Sequence, residues 1–346
     1  MLGFIPEIYS NREIQLSMAG TGDPWSYFKT SSKLTIRALY DGYSLDEIQE
    51  LFQVSKEELQ EKINLLVDAN LLQIMEGKIN STFLIVNKEE TERTYYYAKE
   101  FGKMLADELV NYWEEIESDY LKLDISKKCS LTELSLVLVG SKIMDIALLD
   151  VLAKDGTLLQ PAPKRSNPKR PDAQYYFYMI EGKQEYLGKY GEESMDLPKE
   201  NWSFVTFGQN MVNGKQNEPR NRIEEKCDIL RKKGEIKEPE NFAKALNSPI
   251  LSREDSIEWL KTAEKIARRL LVKVKEKEDE LREFYNKLKI SNYSNNSLGE
   301  FICWYIHLAY SWAIDFLVEK EIIHMPDSKF NILVIYSEGS HGLLVK

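Results

Sequence analysis

The chain has 346 residues, 43% hydrophobic and 11% aromatic, which is ample material for a buried core and room for two or three domains. A formal net charge of −10 excludes indiscriminate nucleic-acid binding through bulk positive charge, though not a local basic patch on one module. Three scattered cysteines, Cys129, Cys227 and Cys303, form no CxxC pair, which argues against a disulfide framework or structural zinc and for a reducing, cytoplasmic compartment.

The opening "MLGFIPEIYSNREIQ" lacks a basic stretch followed by an apolar core, so no signal peptide is expected. Residues 1–30, with Gly20, Gly22 and Pro24, read as an irregular arm. A first helix is expected over Ser32–Tyr40. Ser44 with Glu47, and Ser55 with Glu58, are two capping boxes that start a short second helix and a longer third one. The third buries Leu59, Ile63, Leu66 and Asn70/Leu71 at helical spacing. Two strands, "LQIMEG" and "KINSTFLIV", then turn about Gly77-Lys78.

A long amphipathic helix is expected over Glu90–Leu123 and another over Leu131–Ala153. The stretch "QPAPKRSNPKRPD" holds four prolines and must be a loop. Short strands "YYFYMI", "EYLGKY" and "WSFVTFG" follow, then a polar loop over 213–222. From Ser252 to about Lys289, Leu260, Ala263, Ala267, Leu270, Val274, Leu281, Phe284 and Leu288 recur in steps of three and four, broken only at Lys277. That is a heptad seam, able to dimerise the chain or to pack within it. An apolar helix capped by Ser297 and Glu300 comes next. Its run Phe301–Val318 is of membrane length but carries His307, Ser311 and Asp315, so a buried helix is the better reading and no membrane span is expected. A hairpin of "NILVIY" and "GLLVK" closes the chain.

Three helices with a tight turn between the second and third, followed by a hairpin, describe a winged helix. The segment Ser31–Lys88, through "YSLDEIQELFQVSKEELQEKINLLVDANLLQ" and the wing "GKINSTFLIV", resembles the winged-helix domains of bacterial transcription regulators of the ArsR and MarR type. The resemblance covers about a sixth of the chain. It implies that the third helix enters the major groove of double-stranded DNA while the wing meets flanking phosphates. Gln60 and Asn64 would read adenine edges, and Lys56, Lys78, Lys33 and Arg37, with Lys29, would contact phosphates. The segment departs from a basic footprint, however. It holds six Lys or Arg against nine Asp or Glu, a net −3, and Glu57, Glu61 and Asp68 share the outward face. A protein-binding use of the same shape is the alternative.

Other constellations carry less. Lys164, Arg165, Lys169 and Arg170 make the proline-rich loop a phosphate-binding arm or a solvated loop. Pro171-Asp172 followed by Glu181 and Lys183 resembles the PD-(D/E)xK nuclease signature, in which two carboxylates hold magnesium and a lysine helps activate water. "EGKQ" reads more naturally as the turn of a hairpin joining "YYFYMI" to "EYLGKY". On the last helix, Cys303, His307, Ser311, Asp315 and Glu319 form a polar column at steps of four. Cys303 and His307, with Glu300, His324 or His341, would make a metal site; the bland reading is a stripe of internal hydrogen bonds. With Trp304, Tyr310 and Trp312, the residues His307, Ser311 and Asp315 would instead line a small-molecule effector pocket. GxGxxG, Walker A, GxSxG and HExxH are all absent, so no cofactor or resident metal is expected.

The expectation is therefore an α+β protein in three parts. An arm (1–30) leads to a winged helix (31–90). A larger, mainly helical domain with a small antiparallel sheet (91–346) follows. Its function would be a dimeric transcription regulator.

Overall fold

The computed structural model describes residues 6–22, 24, 27–28, 30–165, 171–197, 202–209, 218–235, 239–292 and 297–336. Lys29, Lys169, Arg170, His341 and the strand "GLLVK" lie outside them. The protein is mixed α/β, about 61% helix and 15% strand. Its residues group into two discontinuous units. The first takes Met1–Thr94, Gly156–Leu187 and Asp279–Trp304; the second takes Tyr95–Asp155, Gly188–Glu278 and Tyr305–Lys346. A cut near residue 90 was expected, but residues 156–187 and 279–304 join the first unit, so the units are not consecutive stretches of chain.

The first unit opens with α1 (Glu7–Ser10) and β1 (Ile14–Thr21), then α2 (Thr30–Asp41), α3 (Leu45–Phe52) and α4 (Lys56–Asp68). Both capping boxes form: the hydroxyls of Ser44 and Ser55 accept from the amides of Glu47 and Glu58, whose carboxylates return the bond. Each box satisfies donors that a helix start leaves unpaired, which is why α3 and α4 begin where they do. Gln53, with φ 51°, makes the sharp turn between them. A hairpin follows, β2 (Leu72–Met75) with β3 (Lys78–Ser81). Its turn is Glu76-Gly77, one residue earlier than expected, because Met75 pairs with Lys78 and both turn residues have positive φ, as a two-residue hairpin loop of the I′ type requires.

Residues 1–30 are not merely an irregular arm. β1 runs antiparallel to β5 (Gln174–Glu181), pairing Ile14 with Glu181 and Thr21 with Gln174, and β4 (Leu84–Val86) joins the other side of β5 in parallel. β5 therefore takes β1 and β4 as neighbours, not the expected hairpin partner. "EYLGKY" supplies a 3-10 turn, Gln184–Leu187, in place of a strand. Leu34, Ile48, Phe52, Leu59, Ile63, Leu66, Phe83 and Phe177 make the core of α2–α4 and this sheet.

The expected helix over Glu90–Leu123 is two: α5 (Lys88–Val110) and α6 (Trp113–Tyr120). In the second unit, α7 (Leu131–Ser135), a π-helix (Leu136–Ala147) and α8 (Leu148–Asp155) follow one another without a break, and every residue of the π-helix is buried. Strands β6 (Gly191–Leu197), β7 (Trp202–Gly208), β9 (Phe330–Tyr336) and β8 (Ile250–Leu251) form a sheet in that order, antiparallel except for β8 with β9. Both larger sheets are thus mixed, where a single antiparallel one was expected. On one face of the second sheet Phe204 and Val334 pack on α9 (Glu218–Lys233) and α10 (Pro239–Leu246).

The heptad stretch is also two helices, α11 (Arg253–Glu276) and α12 (Glu278–Asn286), and Lys277, the residue that breaks the apolar series, caps the first. Trp259, Ala263, Ile266, Ala267, Leu270 and Val274 are buried inside the chain. Of the seam, Ala263, Ala267, Leu270, Val274, Leu281, Phe284 and Leu288 are core of the chain, and Leu260 is half-buried. Within the second unit, α5 crosses α13 (Ser297–Glu319) at Gly102. A Cβ there would stand 2.5 Å from the carbonyl oxygen of Ala309. Gly102→Ala should therefore push these backbones apart and cost about 1–3 kcal/mol in a denaturant melt. α13 is apolar and long enough to cross a membrane, and 72% of its apolar window is buried inside the protein.

Candidate functional site

α4 presents its outer face to solvent. With Leu59, Ile63 and Leu66 turned inward, Lys56, Glu57, Gln60, Glu61, Asn64, Leu65 and Asp68 line a shallow depression of about 510 Å³. Gln60 Nε2 donates to Asn64 Oδ1 at 2.9 Å, so the two expected base readers hold each other. The face carries three exposed acids, Glu57, Glu61 and Asp68, around Leu65, whose surface is 50% exposed. Ile74 (56%) and Met75 (49%) of β2 are equally bare. Lys78 stands exposed at the end of the hairpin.

Two of the expected phosphate contacts are used internally. Lys33 Nζ donates to the Ile14 carbonyl at 2.7 Å, and burial pulls its pKa down. Arg37, only 4% exposed, bonds Asp41 Oδ1 and Glu181 Oε2, both at 3.0 Å, and Arg12 joins the same acids. The cause is β1. Its pairing lays β5 and Glu181 against α2, turning a cationic helix face into an ion-pair cluster.

The strand β5 also separates the nuclease residues. Asp172 and Glu181 flank opposite ends of β5, whose eight residues extend over roughly 23 Å at the rise of a strand. Two carboxylates so placed cannot share one metal ion, and Lys183 points to Glu185 at 3.9 Å. Among the described residues no group of three His, Cys, Asp or Glu side chains is placed to hold a metal.

The proline-rich loop is likewise not a phosphate arm at Arg165. That side chain is 1% exposed and donates to Asn70 O (2.7 Å), Thr82 Oγ1 (2.8 Å), Thr82 O (3.0 Å) and Glu300 Oε1 (2.6 Å). Glu300 accepts in turn from the amides of Leu84 (2.7 Å) and Phe177 (3.3 Å). This clasp joins the end of α4, the strand β4, the sheet strand β5 and the start of α13. Burial pushes the Glu300 carboxyl up to about 7 against the pull of Arg165. Because the shift is upward, this group's contribution to stability persists as pH falls and is lost as pH rises through about 7.

On the α13 column, internal bonds hold Ser311 and Asp315, while Glu319 at its end is exposed. Trp304 Nε1 donates to Tyr186 O and Tyr310 OH to Tyr190 O. Ser311 Oγ accepts from the Tyr190 amide, and Asp315 accepts from Lys189 Nζ (2.6 Å) and Tyr190 OH (2.7 Å). His307 lies 3.9 Å from Asp145.

Asp145 belongs to a group that was not singled out in the sequence. From the π-helix, Ser141 and Lys142 both donate to Glu192 Oε2 of β6, Lys142 at 2.6 Å. Burial pushes the Asp145 carboxyl up to about 8, with the Glu192 charge adding to the rise. The available signal was a lysine and an aspartate inside the apolar run "LVLVGSKIMDIALL", a placement that costs free energy unless the charges are partnered.

Set beside known proteins, the chain matches no family model, no curated protein and no solved structure.

Proposed function

We propose that residues 30–86 act as a winged-helix module and that the outer face of α4 docks a protein partner bearing basic residues. One observation carries this reading: three acids surround the half-exposed Leu65, while Lys33 and Arg37 are withdrawn into internal bonds. A polyanion would meet Glu57, Glu61 and Asp68 directly; a cationic, partly apolar protein surface complements them. Leu65 is the anchor and the acids are its rim.

DNA remains the second reading, because Gln60, Asn64, Lys56 and Lys78 are all exposed. Salt decides between them. Three lysines, Lys56, Lys62 and Lys78, limit the slope of log affinity against log salt to about −3 on duplex DNA. A mobility-shift titration should accordingly show weak binding that is lost by physiological salt. An amphipathic Lys/Leu helical peptide should bind the protein, and Leu65→Asp should weaken it about tenfold, or 1.4 kcal/mol. Tight, sequence-selective DNA binding abolished by Lys78→Glu would reverse the preference and restore the transcription regulator.

A further inference from the structure

The sheet of the second unit has an open edge, independent of the α4 face. β9 pairs with β7 along its whole length, from Phe330 to Tyr336, but on its other side β8 covers only Val334 and Ile335. The stretch before Val334 therefore has a side without a strand. A groove of about 670 Å³ runs beside it, lined in part by Asn331 and Ile332.

Backbone alternation fixes what that edge offers. Val334 turns its N–H toward β8 and donates to the Pro249 carbonyl at 3.0 Å. Residues two apart on a strand point the same way, so Ile332 also turns its N–H and C=O away from β7. One further step of the parallel ladder would give the Ile332 carbonyl the N–H of residue 249, and the Ile332 N–H the carbonyl of residue 247. Residue 249 is a proline and has no N–H. Asn247, at φ 51°, takes the chain out of line, and the Ser248 N–H bonds back to the Ala243 carbonyl at 2.9 Å. Among the described residues, neither of these backbone groups of Ile332 has a backbone partner. Ser248, which lines the same groove, has a buried hydroxyl with no hydrogen-bond partner.

The edge lies between two walls. Ile332 packs on the core that includes Ala243 and Leu246 of α10. Asn331 faces the other way, and its Nδ2 donates to the Glu133 carbonyl of α7 at 2.9 Å, on the side of Cys129. A strand added at the usual spacing of about 4.8 Å would thus meet an apolar wall on one face and a polar one on the other. The opposite edge of the sheet differs. β6 carries Glu192, Glu193 and Asp196 in seven residues, and charges on an edge strand oppose a further strand. Asn331, Ile332 and Leu333 carry no charge.

We propose that this groove takes an extended peptide segment, added as a short strand beside Ile332 in line with β8. A peptide carbonyl accepts the Ile332 N–H and a peptide N–H gives to the Ile332 carbonyl, the two bonds that Asn247 and Pro249 leave unmade. Alternate side chains of the peptide meet the two walls: a small apolar one toward Ala243 and Leu246, a hydroxyl-bearing one toward Glu133 and Asn331.

The probe is a capped pentapeptide of alternating threonine and valine, titrated into the full-length protein to about 10 mM for an expected Kd of about 1 mM. The amide NMR signal of Ile332 should shift. Alkylation of Cys129, the one cysteine of the three that is not buried, should slow about tenfold at the top of the titration, the factor 1 + [L]/Kd. N-methylation of the peptide nitrogens one at a time should cost about tenfold in affinity at those facing β9 and little at the alternate ones. Ile332→Pro, which removes the open-side donor and spares the β7 ladder, should abolish the protection of Cys129. An Ile332 amide that does not move would overturn the strand site. So would an affinity indifferent to which nitrogen is methylated, the mark of apolar adhesion alone.

Discussion

Replacing Arg165 by methionine is expected to destabilise the first unit by about 3–5 kcal/mol, the range for removing one partner of a buried ion pair. The loss has two sources. Glu300 keeps the amides of Leu84 and Phe177 but loses its cation. The carbonyls of Asn70 and Thr82 and the Thr82 hydroxyl lose a donor that no water replaces in so closed a place. Urea unfolding monitored by tryptophan fluorescence, with Trp304 four residues beyond Glu300, reads the change. Glu300→Leu combined with Arg165→Met should recover part of the loss, since no unpaired buried carboxyl then remains. A single Arg165→Met variant within about 1 kcal/mol of the parent would show that the clasp contributes little to stability.

The second large effect is expected at Trp259. This side chain is 1% exposed and its indole N–H donates to the Leu138 carbonyl of the π-helix at 3.0 Å. Trp259→Ala should cost about 3–5 kcal/mol for the cavity, and the stranded carbonyl adds to it. The same melt separates two uses of the heptad seam. If α11 is core of its own chain, Tm is independent of protein concentration over a hundredfold range in both parent and variant. A Tm that climbs with concentration would return the seam to an interface between subunits.

What the sequence disclosed follows the range of the forces involved. Ser44–Glu47 and Ser55–Glu58 are bonds across three residues, so the starts of α3 and α4 were legible to the residue. Lys277 interrupted the apolar series and is where α11 ends. β1 was not legible, because its partner β5 lies some 160 residues away and nothing local in "IQLSMAGT" announces it. That one omission misplaced Lys33 and Arg37 at the surface. The strand expected at "EYLGKY" rested on aromatic β-preference, which tertiary packing overrode with a 3-10 turn. The π-helix was hidden for a different reason: where every residue is buried, no periodic contrast between faces is left to read. The acidic outer face of α4, in contrast, was visible from the residues alone and is as exposed as its pattern required.

The clasp also sets a clock on synthesis. Arg165 and β5 complete the first unit only in part, because Glu300 lies 135 residues beyond Arg165 in the chain. At ribosomal speeds of about 5–20 residues per second, the interval is on the order of 7–27 s. Throughout it Arg165 waits without its carboxylate and Phe83 and Phe177 wait beside an unfinished wall. A nascent chain of this design has to be shielded or kept loose until its last third emerges, and truncation before Glu300 would leave the helices of the amino-terminal module without the group that ties their sheet shut.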